Sequence, residues 1–388
     1  MPPIFQRFRK VLSRRGKRSP FPVEPKESIW KRLPDNVLVR LVSLCELNDI
    51  ISLALTCRLL HRRVFHNEIA ISHSFINLRR KGDQESTYCL DRSPGDDLTF
   101  ISELFPPPPP QYAIGDGHVD ADYSFAYLID LKRCWTTCIQ LSYHLADHAV
   151  RYHLDTDPIA QPLWTSSKTE KEVVYSKAVA ALHERLLYPM AYAILFLESC
   201  AADGSDSDSS IHLANIFKST DDQQSILQDA PFTSSHILIS TQHCLELLCS
   251  TVRRLMHPEF PYSSSESWVS LLLMTSTLER ILQFFVSVAK DEEKGQSTSH
   301  TTSWSHRKEF MWRMREDLGH YVAASNHGPN HGPNQTFTEP PRLDKVWFEA
   351  CRQEMFRRGV IPHTAEEPVP VLHGSSVALT CKYCDIAE

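Results

Sequence analysis

The stretch "DYSFAYLIDLKRCWTTCIQLSYHLADHAVRYHL", residues 122–154, decides the fold class of this chain. Apolar side chains recur in it at steps of three and four residues, at Phe125, Leu128, Leu131, Trp135, Cys138 and Leu141. This spacing places them on one face of an α-helix. The same spacing returns in later segments up to about residue 360, so the sequence predicts an all-α protein.

Two later segments add detail to this prediction. Pro189 lies inside the apolar stretch 173–200, and we expect it to kink or divide that helix because proline has no backbone donor. Residues 267–290 are apolar on nearly all sides, which is typical of a central, buried helix. No internal repeat of 20 to 50 residues is visible, so residues 123–360 are expected to form one larger irregular helical domain, without the repeats of a solenoid.

Charge is distributed unevenly along the 388 residues, whose formal net charge is −6. The first 23 residues carry seven Lys and Arg and no acid, so the rest of the chain has a net charge of −13. An acidic body argues against general binding of nucleic acid, which needs cations to replace phosphate counterions. We therefore expect no nucleic-acid partner.

Residues 1–27 are predicted to be a basic, disordered tail, because prolines interrupt any helix there. The tail is compatible with a solvated arm, a nuclear-localisation patch or a mitochondrial transit peptide. It lacks the apolar segment of a secretory signal, and no apolar run is long enough to span a membrane. Eleven cysteines without framework spacing favour free thiols in a reducing compartment. The expected location is the cytoplasm, the nucleus or both.

Two further segments are predicted to lie outside the helical domain. Residues 69–122 are predicted to be a linker, because residues 79–122 are polar and broken and the five consecutive prolines at 106–110 predict a stiff, extended segment. Alternatively, that run of prolines is a docking site for a proline-binding domain of a partner protein. Residues 361–388 are broken by Pro and Gly and are expected to form a flexible tail.

The stretch "LPDNVLVRLVSLCELNDIISLALTCRLL", residues 33–60, predicts a compact helical module over residues 28–68. Pro34 suits the first position of a helix, and Asp35 complements the positive end of the helix dipole. Asn48 and Thr56 are plausible N-caps for a second and a third short helix. Three short helices cannot bury all of these apolar side chains, so some of them are expected to face a partner.

The order of residues in this block resembles an F-box. Its features are Leu33-Pro34-Asp35, the apolar pair Val37-Leu38, Asp49-Ile50, and Thr56-Cys57-Arg58. The resemblance covers residues 33–62 and implies a small three-helix F-box module that binds a Skp-type adaptor, and through it a cullin and a RING-type ubiquitin ligase. The helical region that follows would then hold an unknown protein target.

The resemblance also implies which residues meet the adaptor. We expect an exposed face made of Leu33, Pro34, Val37, Leu38, Leu41 and Ile50, with Leu53, Leu55 and Cys57 in the module's core or at the edge of that face. In this interpretation the protein is a non-catalytic subunit with no cofactor. A helical metal-binding enzyme and a structural protein without a ligase link are the alternatives.

Two motifs bear on the metal-binding alternative. His144 and His148 are one helical turn apart around Asp147, which is a spacing that metal ligands use. Cys381 and Cys384 form a Cys-x-x-Cys pair. A structural zinc ion needs four ligands, so further ones would have to come from His363, His373 or Cys351. Otherwise the pair belongs to a flexible tail.

Overall fold

The computed structural model describes residues 29–85, 97–107, 123–158, 167–200, 220–256, 279–295, 305–326, 344–362, 371–373, 378–381 and 384. The basic tail predicted for residues 1–27 lies outside them. Nearly all of the described residues are helical, so the all-α prediction is confirmed. None of the helices described is both long enough and apolar enough to cross a membrane.

Thirteen α-helices are described, and the short ones come first. They are α1 Ile29–Arg32, α2 Asp35–Ser43, α3 Leu47–Thr56, α4 Arg58–His66, α5 Glu68–Glu85, α6 Leu98–Leu104, α7 Phe125–Thr156, α8 Lys168–Cys200, α9 Thr220–Gln228, α10 Ser235–Met256, α11 Glu279–Gly295, α12 His306–Asn326 and α13 Ala350–Arg357. A π-helical turn, Asp344–Glu349, leads into α13. Two strands, β1 Val371–His373 and β2 Ala378–Thr380, pair antiparallel.

The described residues divide into two compact units. The first contains the residues up to Leu78 together with Tyr123–Phe125. Its interior is apolar and is supplied by every helix from α2 to α5, with Leu38, Val42, Leu47, Ile50, Ala54, Leu60, Val64, Ile71, Phe75 and Ile76 buried. The returning segment is attached by the backbone N–H of Phe125, which donates to Glu68 Oε1 at 2.6 Å.

The second unit contains the other described residues and is built around α10. This helix buries twelve of its side chains, among them the polar Thr241, Gln242 and His243. Gln242 accepts a hydrogen bond of 2.7 Å from the indole Nε1 of Trp347. Trp347 packs edge-to-face on Phe196 of α8, with ring centroids 4.6 Å apart. The long helices α8 and α10 thus meet through an aromatic and amide cluster.

The end of α13 is fixed by its last residues. Gly359 has a φ of 73°, and its N–H donates to Phe356 O while the N–H of Val360 donates to Met355 O. These are the two hydrogen bonds of a Schellman motif, which favours glycine at the left-handed position. The motif sets the position of the neighbouring Arg358 side chain.

Arg358 joins α13 to the segment between α9 and α10. Its guanidinium donates to the backbone oxygens of Leu227, Phe232 and Thr233 at 2.7 to 3.0 Å, and to Glu354 Oε1 at 2.6 Å. Burial alone would raise the pKa of Glu354, but hydrogen bonds from Arg357 and Arg358 outweigh it and leave the pKa below its ordinary value. The buried carboxylate is therefore ionised and paired.

Several boundaries differ from those predicted. The linker expected at 69–122 contains the continuous helix α5 as far as Glu85, as well as α6; residues 108–110 of the proline run lie outside the described residues. The flexible tail expected at 361–388 contains the β1–β2 hairpin. The predictions of a linker and of a flexible tail were wrong for these helical and paired residues. A loop-like composition does not prevent a segment from pairing or packing with its neighbours.

The predictions for the longer helices also need correction. Pro189 does not divide its helix, since α8 continues from Lys168 to Cys200. In the segment 267–290 only the part from Glu279 is described, and there Gln283 and Lys290 are exposed. That part is amphipathic, and α10 is buried over most of its circumference, with His236 and Ser250 exposed. Its serines and threonines bond to backbone oxygens within the helix, as Thr241 does to Ile237 O, so they can be buried at low cost.

We predict that Arg358→Met lowers the free energy of unfolding of the full-length protein by about 3 kcal/mol, because it leaves the buried Glu354 carboxylate without its inner partner. Arg357→Met is the matched control. Arg357 binds the same carboxylate, but its side chain is 60% exposed against 12% for Arg358, so its loss should cost much less than the loss of Arg358. Urea denaturation monitored by tryptophan fluorescence measures both changes, and equal losses would contradict this account.

Candidate functional site

The turn that begins α2 is fixed by Arg63 of α4. The guanidinium donates to the backbone oxygens of Trp30 and Leu33 and to the carboxylate of Asp35. The hydrogen bond from Arg63 lowers the pKa of Asp35 below its ordinary value. One side chain thus connects the last helix of the predicted module to the Leu-Pro-Asp sequence that opens it.

The residues predicted for the adaptor face are divided between the surface and the interior of the first unit. Leu38 and Ile50 are completely buried, so the expectation that they are exposed was wrong. Both point inwards because each helix of the module must direct one apolar row at the core. Leu33 and Leu53 are half-buried. The remaining predicted residues are exposed, namely Pro34, Val37, Leu41, Leu55 and Cys57.

A row of exposed apolar side chains runs along α2. Val37, Leu41 and Leu44 follow one another at steps of four and three and are 40%, 47% and 66% exposed. We call these three residues the α2 face. Leu55 on α3 is exposed further, at 74%. Apolar side chains grouped in this way are typical of an interaction surface, whereas single ones are ordinary.

Leu44 was not among the residues predicted for the adaptor. It follows the last helical residue of α2 and caps that helix with its N–H. Its spacing from Val37 and Leu41, of seven and three residues, could have placed it on the same helical face from the sequence. The sequence alone, however, does not tell which of the two apolar rows of α2 faces outwards.

His144 and His148 are not joined by a third ligand in the described residues. Both imidazoles pack against Phe285 of α11, with ring centroids 6.2 and 5.5 Å away. Between them in sequence, Asp147 accepts hydrogen bonds from Tyr175 and from Arg151. These contacts give the motif a packing role between α7, α8 and α11.

The Cys-x-x-Cys pair has a different setting. The Sγ atoms of Cys381 and Cys384 are 3.7 Å apart just after β2. The ligand atoms of these two residues and of His243 on α10 all lie within 4.8 Å of one another. No other group of three His, Cys, Asp or Glu side chains is this close within the described part of the chain.

The partners expected for the cysteine pair are not the ones found. Cys351 is buried and outside the group, His363 lies outside the described residues, and the side chain of His373 is likewise not described. His243 was missed by sequence reasoning, because it precedes Cys381 by 138 residues and no local spacing connects them.

The helical body also has a concave surface. A cleft of about 610 Å³ lies between α6, α8 and the segment that leads into α10. Aromatic and aliphatic side chains dominate its lining, which includes Phe100, Tyr192 and Phe232, and Glu103 and Asp229 add two carboxylates. Such a surface suits an apolar ligand that carries a positive charge.

No protein-family model matches this chain, and no curated protein or solved structure shows significant similarity to it. Its function therefore has to be inferred from its own residues and their arrangement.

Arg63→Gln is predicted to loosen the first turn of α2, because it removes charge-assisted hydrogen bonds to two backbone oxygens and one carboxylate. Hydrogen exchange of the full-length protein should then be at least about tenfold faster at the amide of Leu38, which donates to Pro34 O. Arg62→Gln, an exposed change on the same helix, is the control. Unchanged protection of Leu38 in Arg63→Gln would contradict the role assigned to Arg63.

Proposed function

We propose that this protein is an F-box-type substrate receptor. In this proposal the first unit binds a Skp-type adaptor through the α2 face, and the adaptor connects it to a cullin and a RING-type ubiquitin ligase. The helical body presents a protein target for ubiquitination. The chain itself performs no chemistry, and it acts in the cytoplasm, the nucleus or both.

The α2 face is the observation that carries the proposal. Its three side chains remain 40% to 66% exposed although the first unit has a complete apolar interior. Covering the exposed half of such a side chain contributes about 1 kcal/mol. A partner that covers the whole row would therefore gain several kcal/mol without any rearrangement of the module.

The local structure adds support. Pro34 directly precedes α2, Asp49 lies in the first turn of α3, and Cys57 forms the junction between α3 and α4. The F-box resemblance implies this order, with the Leu-Pro-Asp sequence at the start of its first helix. Arg63 fixes that start, so Pro34 is presented in a defined position beside the α2 face.

The proposed mechanism is a gain in effective concentration. A receptor that holds its target and its adaptor at once keeps the target's lysines close to the ubiquitin-carrying enzyme, so that transfer becomes intramolecular. In this proposal the target binds the helical body, where the cleft beside α6 and α8 is a candidate contact. Glu103 already pairs with Arg80 at 3.6 Å, so the carboxylate that favours a basic segment of the target is Asp229.

The test is capture of a purified Skp-type adaptor by the full-length protein. We expect the wild type to bind it and the double variant Val37→Lys/Leu41→Lys to lose at least about tenfold in affinity, because two charges would have to be buried in an apolar contact. Ile129→Lys/Val173→Lys is the matched control, since these residues are 43% and 51% exposed on α7 and α8.

The control variant should bind the adaptor like the wild type. Circular dichroism of all three proteins should be the same, because every substituted side chain is at the surface. Absence of binding by the wild type, or equal binding by both double variants, would overturn the proposal.

A further inference from the structure

We infer that His243, Cys381 and Cys384 form a zinc site that joins the β1–β2 hairpin to α10. This site lies in the helical body and is independent of the proposed adaptor contact. The inference rests on three observations: the position of the two thiols, the buried Nε2 of the imidazole, and the kind of metal that these three ligands prefer.

The hairpin and the turn after it bring the two thiols together. In the hairpin Val371 pairs with Thr380, and Cys381 follows directly after β2. The N–H of Cys384 donates to Cys381 O, and the N–H of Cys381 donates to the Sγ of Cys384 at 3.3 Å. An N–H donor at sulfur stabilises a thiolate, which is the form that binds metal.

The distance between the sulfur atoms matches zinc geometry. Two thiolates at about 2.3 Å from a tetrahedral zinc ion are about 3.8 Å apart. The Sγ atoms of Cys381 and Cys384 are 3.7 Å apart. This pair could therefore bind zinc without a change in the turn that holds it.

His243 supplies the second element of the argument. Its side chain is 3% exposed, and its Nε2 is buried without a hydrogen-bond partner among the described residues. A buried polar atom left in this state costs about 1–3 kcal/mol, and such atoms are rare in native proteins. A metal ion bound to Nε2 would satisfy this atom, and an imidazole nitrogen is a ligand that zinc uses.

The ligand set selects the metal. Two thiolates and one imidazole are ligands that zinc prefers, whereas magnesium and calcium prefer oxygen. The two negative charges balance the charge of Zn²⁺, so the site is neutral where it meets the buried face of α10. The fourth position of a tetrahedral ion is available to water or to a further side chain.

The role we assign to this site is structural. Zinc would connect α10, the most buried helix of the body, to a hairpin whose two strands are only three residues long. A two-stranded hairpin is marginal by itself in water, so a metal bond to α10 gives it an anchor that its own hydrogen bonds do not.

The first measurement is the metal content of the full-length protein, purified with a reductant and without chelator, by mass spectrometry. We expect about one zinc per chain. Replacement by Co²⁺ should give the absorption bands of a tetrahedral thiolate site. A wild-type protein that carries no zinc and shows no thiolate bands with Co²⁺, or that holds Cys381 and Cys384 as a disulfide under these conditions, would overturn the inference.

Variants with matched controls assign the ligands. His243→Gln and Cys384→Ser should each weaken zinc binding at least about tenfold in competition with a chelating dye. His236→Gln, on the exposed side of the same helix, and Cys134→Ser, which removes a thiol from α7, should bind zinc like the wild type.

A variant that fails to fold would also lose zinc, so the Co²⁺ spectrum serves as a second readout. Folded Cys384→Ser protein should lose thiolate charge-transfer intensity, whereas folded His243→Gln should retain it with shifted ligand-field bands. Zinc affinity in His243→Gln equal to that in His236→Gln would overturn the assignment of His243.

Discussion

The helical body depends on how α10 satisfies the polar side chains that it carries into the interior. A helix surrounded by its neighbours cannot use water for this purpose, so each buried polar group needs a partner within the protein. Of three successive residues, two meet this need in different ways: Thr241 bonds to its own helix, and Gln242 accepts from Trp347. The Nε2 of His243 has no hydrogen bond within the described residues. The first two arrangements stabilise the packing of the body, and the third is the observation behind the proposed zinc site.

Arginine side chains perform a related task at the ends of helices. Arg63 in the first unit and Arg358 in the second each bind two or more backbone oxygens together with one carboxylate. The planar guanidinium suits this role because it presents several donors in fixed directions. In both places it connects segments that are far apart in sequence. The two units thus use one chemical solution to join separate segments of the chain.

The sequence was sufficient for the helical class, because apolar spacing is a local property. It was insufficient to predict which residues are buried and which distant residues meet, because both depend on contacts between separate segments of the chain. The apolar rows of α2 look alike in sequence, but Leu38 is buried and Leu41 is exposed. Gln242 of α10 has its partner, Trp347, 105 residues further along the chain, and helical spacing alone does not reveal that contact. The hairpin had a local signal in "VLHGSSVALT", where short apolar runs flank Gly and Ser. No such signal linked His243 to the cysteines, since that contact exists only in the folded chain.

The distance in sequence between α10 and the hairpin has a kinetic meaning. Contacts within the long helices are local, whereas His243 and Cys381 are 138 positions apart in the sequence. Closing a loop of this length carries an entropic cost that is recovered only when the contact forms, so such contacts come late in folding.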